Sequence, residues 1–237
     1  LAVVSLLIDR CRGVASAALV AGLLISSVSV RAEVRLPALF TDHMVLQQGQ
    51  PLPVWGWADA DENVTVIFRD QTVSVKTPAG GKWRLDLKPE QAGGPETLVV
   101  EGQNRLEIKD VLVGEVWICS GQSNMEWSLS RSYEPAQDIA DSTNPNLRLF
   151  KVPRLKALEP VEGIEAAWQL CSPETTPAFS AVGYYFGRAL QQAKATPVGL
   201  IQTSWGGSPA EVWMSQAALS SVPEYQEDIL DSGAEAM

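Results

Sequence analysis

The sequence has a single histidine, His43, and only three cysteines among its 237 residues. The cysteines show no Cys-x-x-Cys spacing, so we expect neither a zinc cluster nor any other metal site. Lysine and arginine are also few, 18 against 28 aspartates and glutamates, which gives a formal net charge of -10. Because no cluster of basic residues offsets this charge locally, a phosphate backbone would be repelled, and we expect no nucleic-acid partner.

The sequence also lacks a convincing membrane span. Its apolar run at residues 14–28 is short, rich in serine, alanine and glycine, and preceded by Arg10 and Arg12. A basic start, a short apolar centre and small residues before a cleavage site are typical of a signal peptide. We therefore predict a signal peptide over residues 1–32, cleaved after Ala32, with an uncleaved anchor as the alternative. The predicted location is secreted or periplasmic, with no membrane attachment after cleavage.

Two cysteines, Cys119 and Cys171, remain after the predicted cleavage, because Cys11 leaves with the signal peptide. In an oxidising compartment they could form a disulfide, or they could be two separate buried thiols. The sequence does not decide between these alternatives, since it does not give the distance between their Cβ atoms.

A chain of this length is sufficient for two domains, each with its own core. Residues 33–110 contain short segments of alternating polarity, at 63–68, 72–75 and 83–87, separated by turns rich in proline and glycine. Strands of this kind bury one face each. We therefore predict that residues 33–110 form an all-β sandwich of two packed antiparallel sheets.

The pattern changes after Asp110. Residues 111–119 are almost continuously apolar, as expected for a central parallel strand that is covered on both faces. Further strands are predicted at 147–152 and 198–203, with helical spacing between them. We therefore predict that residues 111–237 belong to an α/β domain with a parallel sheet.

Two helix starts are indicated in this second region. One helix is predicted to run from an N-cap at Thr176 to Gln192. Its predicted apolar face consists of Phe179, Val182, Phe186 and Leu190. The other helix follows a glycine-rich turn, where Ser208 and Glu211 have the spacing of a capping box.

A serine follows the buried strand directly, in the run Gly121-Gln122-Ser123-Asn124-Met125. A side chain at the end of a central parallel strand is exposed at the carboxyl edge of the sheet, where the sites of α/β proteins form. Gly121 allows a sharp turn, and the amides after the strand can point at a carbonyl oxygen under attack. Ser123 is therefore the candidate nucleophile, with Gln122 and Asn124 as supporting neighbours. A glycine-serine turn without catalysis is the alternative.

The longer run at residues 113–127 closely resembles the nucleophile block of the sialate O-acetylesterase family, whose members are similar to the wider group of Ser-Gly-Asn-His hydrolases. Residues 39–47 resemble the family's N-terminal β-domain opening, and residues 201–213 resemble its second block. The resemblance implies a β sandwich followed by an incomplete α/β hydrolase domain of the Ser-Gly-Asn-His type. It also implies that Ser123 is the nucleophile, that its amide is one oxyanion donor, and that no cofactor is required.

The second block contains a glycine pair, Gly206 and Gly207. By resemblance, one of the two amides contributes to the oxyanion hole. Only a residue without a side chain lets the backbone approach a tetrahedral intermediate so closely. The sequence does not choose between them, and a tight turn before a capped helix would have the same signature.

The resemblance ends before the family's third and fourth blocks, the fourth of which carries the catalytic aspartate and histidine. His43 belongs to the stretch that resembles the β domain, so we expect it to be structural. A serine hydroxyl needs a positioned base, and the chain alone is therefore expected to be inactive. The start at Leu1 and the polar tail at residues 231–237 also indicate a fragment.

The predicted function is that of a carbohydrate O-acetylesterase, which removes acetyl esters from sialic acid or related acetylated sugars through a serine acyl-enzyme. Its predicted partner is an acetylated sugar or polysaccharide substrate. The alternative is a non-catalytic glycan-binding or surface-scaffold protein with a degenerate hydrolase domain. A glycosidase that uses Glu126 and Glu211 is not expected, because Glu211 already has a local capping role.

Overall fold

The structure is a computed structural model that describes residues 33–157 and 159–225. The predicted signal peptide, residues 1–32, lies outside the described residues. The strands are β1 Val45–Gln47, β2 Leu52–Trp57, β3 Asn63–Phe68, β4 Gln71–Lys76, β5 Lys82–Leu87, β6 Gly93–Glu101, β7 Arg105–Gly121, β8 Asn144–Lys151, β9 Trp168–Cys171 and β10 Val198–Ser204. The α-helices are α1 Ser123–Glu126, α2 Pro135–Ala140, α3 Ala181–Lys194 and α4 Gln216–Ser220.

Most of the strands belong to one mixed sheet. Its order is β4-β3-β6-β7-β10-β8-β9, and β1 also pairs with β7. Strands β4, β3, β6 and β7 are antiparallel to their neighbours, whereas β7, β10 and β8 are parallel to each other. Strand β9 lies antiparallel to β8 at the edge of the sheet. Strands β2 and β5 form a separate antiparallel pair.

The long strand β7 serves both halves of this sheet. Its first part pairs with β6 up to Val113, and its second part pairs with β10 from Glu115 to Gly121. The strand therefore runs across the domain boundary predicted at residue 110. Residues 111–114 are all buried, so the apolar run after Asp110 reflects the covered middle of a strand.

A mixed sheet with helices, compatible with an α/β hydrolase-like domain, is confirmed. A separate β sandwich is not confirmed, and the division at residue 110 stays a prediction.

The β2–β5 pair shares one hydrophobic core with the antiparallel strands. Alternate residues of β2, β3 and β5 are buried in this core, among them Leu52, Val64 and Trp83. Phe150 of β8 and Trp168 of β9 belong to the same cluster, with their ring centroids 5.4 Å apart. The core thus continues into the part of the sheet that carries the parallel strands.

Helix α3 begins later than the sequence predicts. Its N-cap is Ser180, whose hydroxyl accepts the backbone N–H of Gly183 at 3.0 Å. The predicted cap, Thr176, lies in a preceding 3-10 turn and is buried. Its hydroxyl bonds to Ser142 at 3.0 Å, so it is not available to a helix terminus. The capping prediction was wrong because two hydroxyl residues four positions apart both suit a helix start.

The buried face of α3 matches the predicted one only in part: Phe179, which is buried but precedes the helix, and Leu190 pack against the core. Gly187 faces β10 so closely that a Cβ atom there would lie 2.6 Å from Cδ1 of Leu200. Val182 and Phe186 are 48% and 41% exposed, and the Phe186 ring lies edge-on to Trp117 of β7, with centroids 5.1 Å apart. Apart from Tyr184, the residues that α3 buries are small, Ala181, Gly183 and Gly187, and they allow a closer approach to the sheet than a stripe of large apolar side chains.

Candidate active site

Ser123 lies where the sequence predicts it, at the carboxyl end of β7. The strand ends at Gly121, whose φ of 131° is in a region that side chains rarely adopt. Gln122 is the N-cap of the one-turn helix α1, and Ser123 is its first residue. Gln122, Ser123 and Asn124 are all exposed. The glycine therefore turns the chain out of the sheet and presents the serine at its edge.

Helix α1 is fixed against α3. The backbone N–H of Glu126 donates to the carbonyl of Gln122 at 2.9 Å, which closes the turn. The Ser180 hydroxyl, which caps α3, lies 3.4 Å from Sδ of Met125. The N-cap of α3 thus contacts the turn that carries Ser123.

The glycine pair of the second block lies beside this turn. Strand β10 pairs in parallel with β7 and ends at Ser204, directly opposite Gly121. The next residue, Trp205, donates its N–H to the carbonyl of Gly121 at 2.9 Å. A Cβ atom on Gly206 would lie 3.5 Å from Cα of Ser123. The structure therefore brings Ser123 and the glycine turn together.

The turn itself runs from Trp205 to Ser208. Ser208 donates its N–H to the carbonyl of Trp205 at 3.3 Å, and its hydroxyl donates to the same oxygen at 2.6 Å. Gly207 occupies the third position with φ of 79°, which a type II turn requires. The predicted capping box does not form. A 3-10 helix, Ala210–Trp213, follows, with Pro209 at its N-cap position.

Glu126 is the residue of this region that sequence reasoning missed. Its carboxylate accepts the backbone N–H of Gly206 and forms an ion pair with Arg154. The Arg154 guanidinium also lies over the Trp205 ring, 5.8 Å from its centroid. Glu211 bonds instead to the hydroxyl of Tyr225 at 2.9 Å. A signal for Glu126 was its position in the same helical turn as Ser123, three residues further on.

A cavity of about 380 Å³ lies at the carboxyl ends of β8 and β10. Arg154, Lys151, Gln202 and Ser204 are among the residues that line it. Gln202 is buried and links two elements: its carbonyl accepts the N–H of Ser180 at 3.0 Å, and its amide donates to the Ser204 hydroxyl at 3.1 Å. Because Arg154 also contacts Glu126, the cavity adjoins the turn that carries Ser123.

The single histidine lies far from Ser123. Nδ1 of His43 is 2.6 Å from a carboxylate oxygen of Asp110, and buried Arg148 donates to both oxygens of that carboxylate, at 2.6 and 3.1 Å. The Arg148 hydrogen bond, followed by that of His43, keeps the pKa of Asp110 below its ordinary value. Asp110 precedes Gly121 by eleven residues of one strand, roughly 35 Å at strand spacing. His43 therefore takes part in a hydrogen-bonded cluster with Asp110 and does not lie where it could act as a base for Ser123.

The Ser123 hydroxyl has no hydrogen-bond partner among residues 33–157 and 159–225. No base from the described part of the chain is hydrogen-bonded to it. In the same residues, no group of three or more histidine, cysteine, aspartate or glutamate side chains could hold a metal ion. Nor does any described helix have the length and apolar character needed to cross a membrane.

The two cysteines are separate buried thiols in the structure. The Cys171 thiol donates to the carbonyl of Ser142 at 3.0 Å. Burial raises the pKa of Cys119 to about 11 and that of Cys171 to about 12. Of the two alternatives left open by the sequence, the structure has the unbridged one.

An exposed serine at the carboxyl edge of parallel strands, beside a glycine turn from the neighbouring strand, is typical of α/β hydrolases. Comparison with known families specifies the class further. The family model for carbohydrate esterases, sialic acid-specific acetylesterase, matches residues 113–235. The chain belongs to this family.

Several known proteins are similar to the chain. The sialate O-acetylesterase of Rattus norvegicus is 32% identical over 218 residues, which cover 82% of this chain and 40% of the relative. The sialate O-acetylesterase of Homo sapiens is 31% identical over 209 residues, which cover 78% of this chain and 39% of the relative. Among solved structures, a carbohydrate acetylesterase from Xanthomonas citri matches with a TM-score of 0.77 and 38% identity, covering 79% of this chain and 44% of that one. The chain therefore spans about two fifths of the length of its relatives.

Proposed function

We propose that this chain supplies the nucleophile and the oxyanion hole of a carbohydrate O-acetylesterase. The proposed substrates are acetyl esters of sialic acid or of related acetylated sugars and polysaccharides. The observation that carries the proposal is that Ser123 is exposed and that its Cα lies 3.5 Å from the position of a Cβ atom added to Gly206. This pairing supports acyl transfer, because it combines a nucleophile with backbone donors at one point.

In the proposed reaction, the Ser123 oxygen attacks the acetyl carbonyl while its proton passes to a base. The tetrahedral intermediate collapses, the bond to the sugar oxygen breaks, and the sugar leaves with that proton. Water then attacks the acetyl-enzyme, and acetate is released. The amide of Ser123 and one amide of the glycine turn would stabilise the oxyanion. The Ser123 amide is at the first position of α1, where N–H groups lack a partner within the helix.

The base is proposed to come from a segment that this chain does not contain. His43 is bonded to Asp110 and is too distant, and the relatives are more than twice as long as their matched part. We call this chain, continued through the segment that corresponds to the rest of the relatives, the extended chain. The chain of residues 33–237 by itself is proposed to be inactive. By its predicted signal peptide, the protein is proposed to be secreted or periplasmic.

One observation favours a second candidate, a glycan-binding role without catalysis. The Ser123 hydroxyl has no base within the described residues, as expected if the hydrolase site were degenerate. This candidate predicts that the extended chain binds glycans and hydrolyses no ester.

The test is acetate release from O-acetylated sialic acid and from acetylated xylan by the extended chain and by residues 33–237. We expect turnover by the extended chain only, and the faster substrate identifies the sugar class. Turnover by residues 33–237 would contradict the proposed missing base. Glycan binding without acetate release by the extended chain would favour the second candidate.

A further inference from the structure

Glu126 is the point where three segments of the site meet. It belongs to α1, three residues after Ser123; it accepts the N–H of Gly206, which follows β10; and it pairs with Arg154, which follows β8. The two contacts use different carboxylate oxygens, Oε2 for the N–H of Gly206 and Oε1 for Arg154. One side chain thus joins the nucleophile turn to the loops after both neighbouring strands.

This contact bears on which glycine is the oxyanion donor. The N–H of Gly206 already has a carboxylate acceptor, which is a stronger partner than a neutral oxygen. No acceptor for the N–H of Gly207 is found within residues 33–157 and 159–225. Gly207 is exposed, and its φ of 79° sets the orientation of the turn. Gly207 directly follows Gly206, whose added Cβ would lie 3.5 Å from Cα of Ser123, and an unpaired donor next to the nucleophile is what an oxyanion hole requires.

The ion pair with Arg154 neutralises the negative charge that Glu126 brings close to the oxyanion site. A carboxylate beside a developing oxyanion would repel it, because like charges at short range disfavour each other. The ion pair with Arg154 compensates the charge of Glu126, and contact with the Trp205 ring holds the guanidinium over the same turn.

We propose that Glu126 is a positioning residue, which holds the glycine turn through the Gly206 amide so that Gly207 supplies the oxyanion donor. This inference rests on the proposed function, since it assumes that Ser123 is acylated. Glu126 acts through the backbone of the turn and does not touch the substrate.

The experiment uses the extended chain with p-nitrophenyl acetate, and it measures kcat and KM per active site counted with a fluorophosphonate. Glu126→Ala removes the acceptor and the charge, whereas Glu126→Gln keeps a carbonyl acceptor. We expect Glu126→Ala to lower kcat by roughly a hundredfold, the usual effect of losing one oxyanion donor, with KM within about threefold. Glu126→Gln should retain most of the kcat that Glu126→Ala loses. Glu159→Ala, which removes an exposed carboxylate elsewhere, is the matched control and should leave kcat unchanged.

Three results would overturn the inference: full activity in Glu126→Ala, a higher kcat in that variant, or a loss of activity explained entirely by a smaller number of active sites that react with the fluorophosphonate. The last would mean that Glu126 supports folding only. Ser123→Ala is run in parallel, because activity there would refute the proposed function itself and not the role of Glu126.

Discussion

The carbonyl of Gly121 accepts the backbone N–H of Trp205 at 2.9 Å. This bond extends the pairing of β7 and β10 by one step beyond the last strand residues, Gly121 and Ser204. The two turns that carry Ser123 and the glycine pair therefore leave the sheet at the same level. Their proximity is a consequence of strand register, so changes at the ends of β7 and β10 are expected to affect the proposed catalysis.

The first prediction concerns Gly121. Its φ of 131° is strained for any residue with a side chain, while the space around it is open, with Cβ of Met125 as the nearest contact at 3.7 Å. Gly121→Ala should therefore lower the free energy of unfolding by about 2 kcal/mol through backbone strain. It should also slow fluorophosphonate labelling of Ser123. Urea unfolding and labelling rates of the extended chain test this, with Gly163→Ala as a control in open space and without positive φ.

The second prediction concerns His43 and activity. Because His43 is bonded to Asp110, about eleven strand residues from Gly121, it should take no part in proton transfer. His43→Asn is the suitable variant, since the φ of His43 is 71° and asparagine tolerates this region. The extended chain with this substitution should keep its kcat/KM on p-nitrophenyl acetate within about twofold, the scale of a neutral change. A well-folded but inactive variant would contradict our assignment of His43.

The third prediction concerns pH and Asp110. Its pKa is lowered in the folded state from an ordinary value of 3.8, chiefly by the hydrogen bond from Arg148. A lowered pKa adds stability above the unfolded-state pKa, and this stability is lost as pH falls through the folded-state pKa. Asp110→Asn leaves buried Arg148 without a charged partner, so it should cost roughly 3 kcal/mol at pH 7. The difference from the unsubstituted protein should shrink below about pH 4.

The measurement is urea unfolding of both proteins at pH 7 and pH 3. Asp86→Asn is a matched control, because Asp86 pairs with Arg84 at an exposed site and should contribute little. An equal cost of Asp110→Asn at both pH values would contradict the argument.

The fourth prediction concerns the cysteines. Burial raises the pKa of Cys119 to about 11 and that of Cys171 to about 12, so neither thiol should form a reactive thiolate at neutral pH. Purified without reductant, residues 33–237 should react with iodoacetamide at both cysteines after denaturation and at neither while folded. A mass lower by two hydrogens, with no alkylation after denaturation, would reveal a disulfide and contradict the structure.

Much of the local fold could be predicted from the sequence, because strands covered on one face alternate visibly. The segments predicted at 63–68, 83–87 and 198–203 lie in β3, β5 and β10. The domain boundary was less predictable, since a continuous apolar run marks burial on both faces and does not mark a change of domain. In β7 such a run lies within one strand that joins the two halves of the sheet.

The site was predictable only in part. Ser123 could be found because a glycine and a serine follow a buried strand, a pattern that is local in sequence. The roles of Glu126 and Arg154 could not, because their contact joins segments 28 residues apart and depends on the order of β7, β10 and β8. The helix start at Ser180 depends on a competing tertiary bond of Thr176, which no local pattern contains.

The central claim is that Ser123 is the acylated nucleophile. The most direct measurement is intact-mass analysis of the extended chain after fluorophosphonate treatment, with peptide mapping, alongside p-nitrophenyl acetate turnover by the unsubstituted and Ser123→Ala proteins. We predict one adduct, on Ser123, and a loss of turnover of about a thousandfold or more in Ser123→Ala. An adduct on another residue, or turnover retained by Ser123→Ala, would contradict the account.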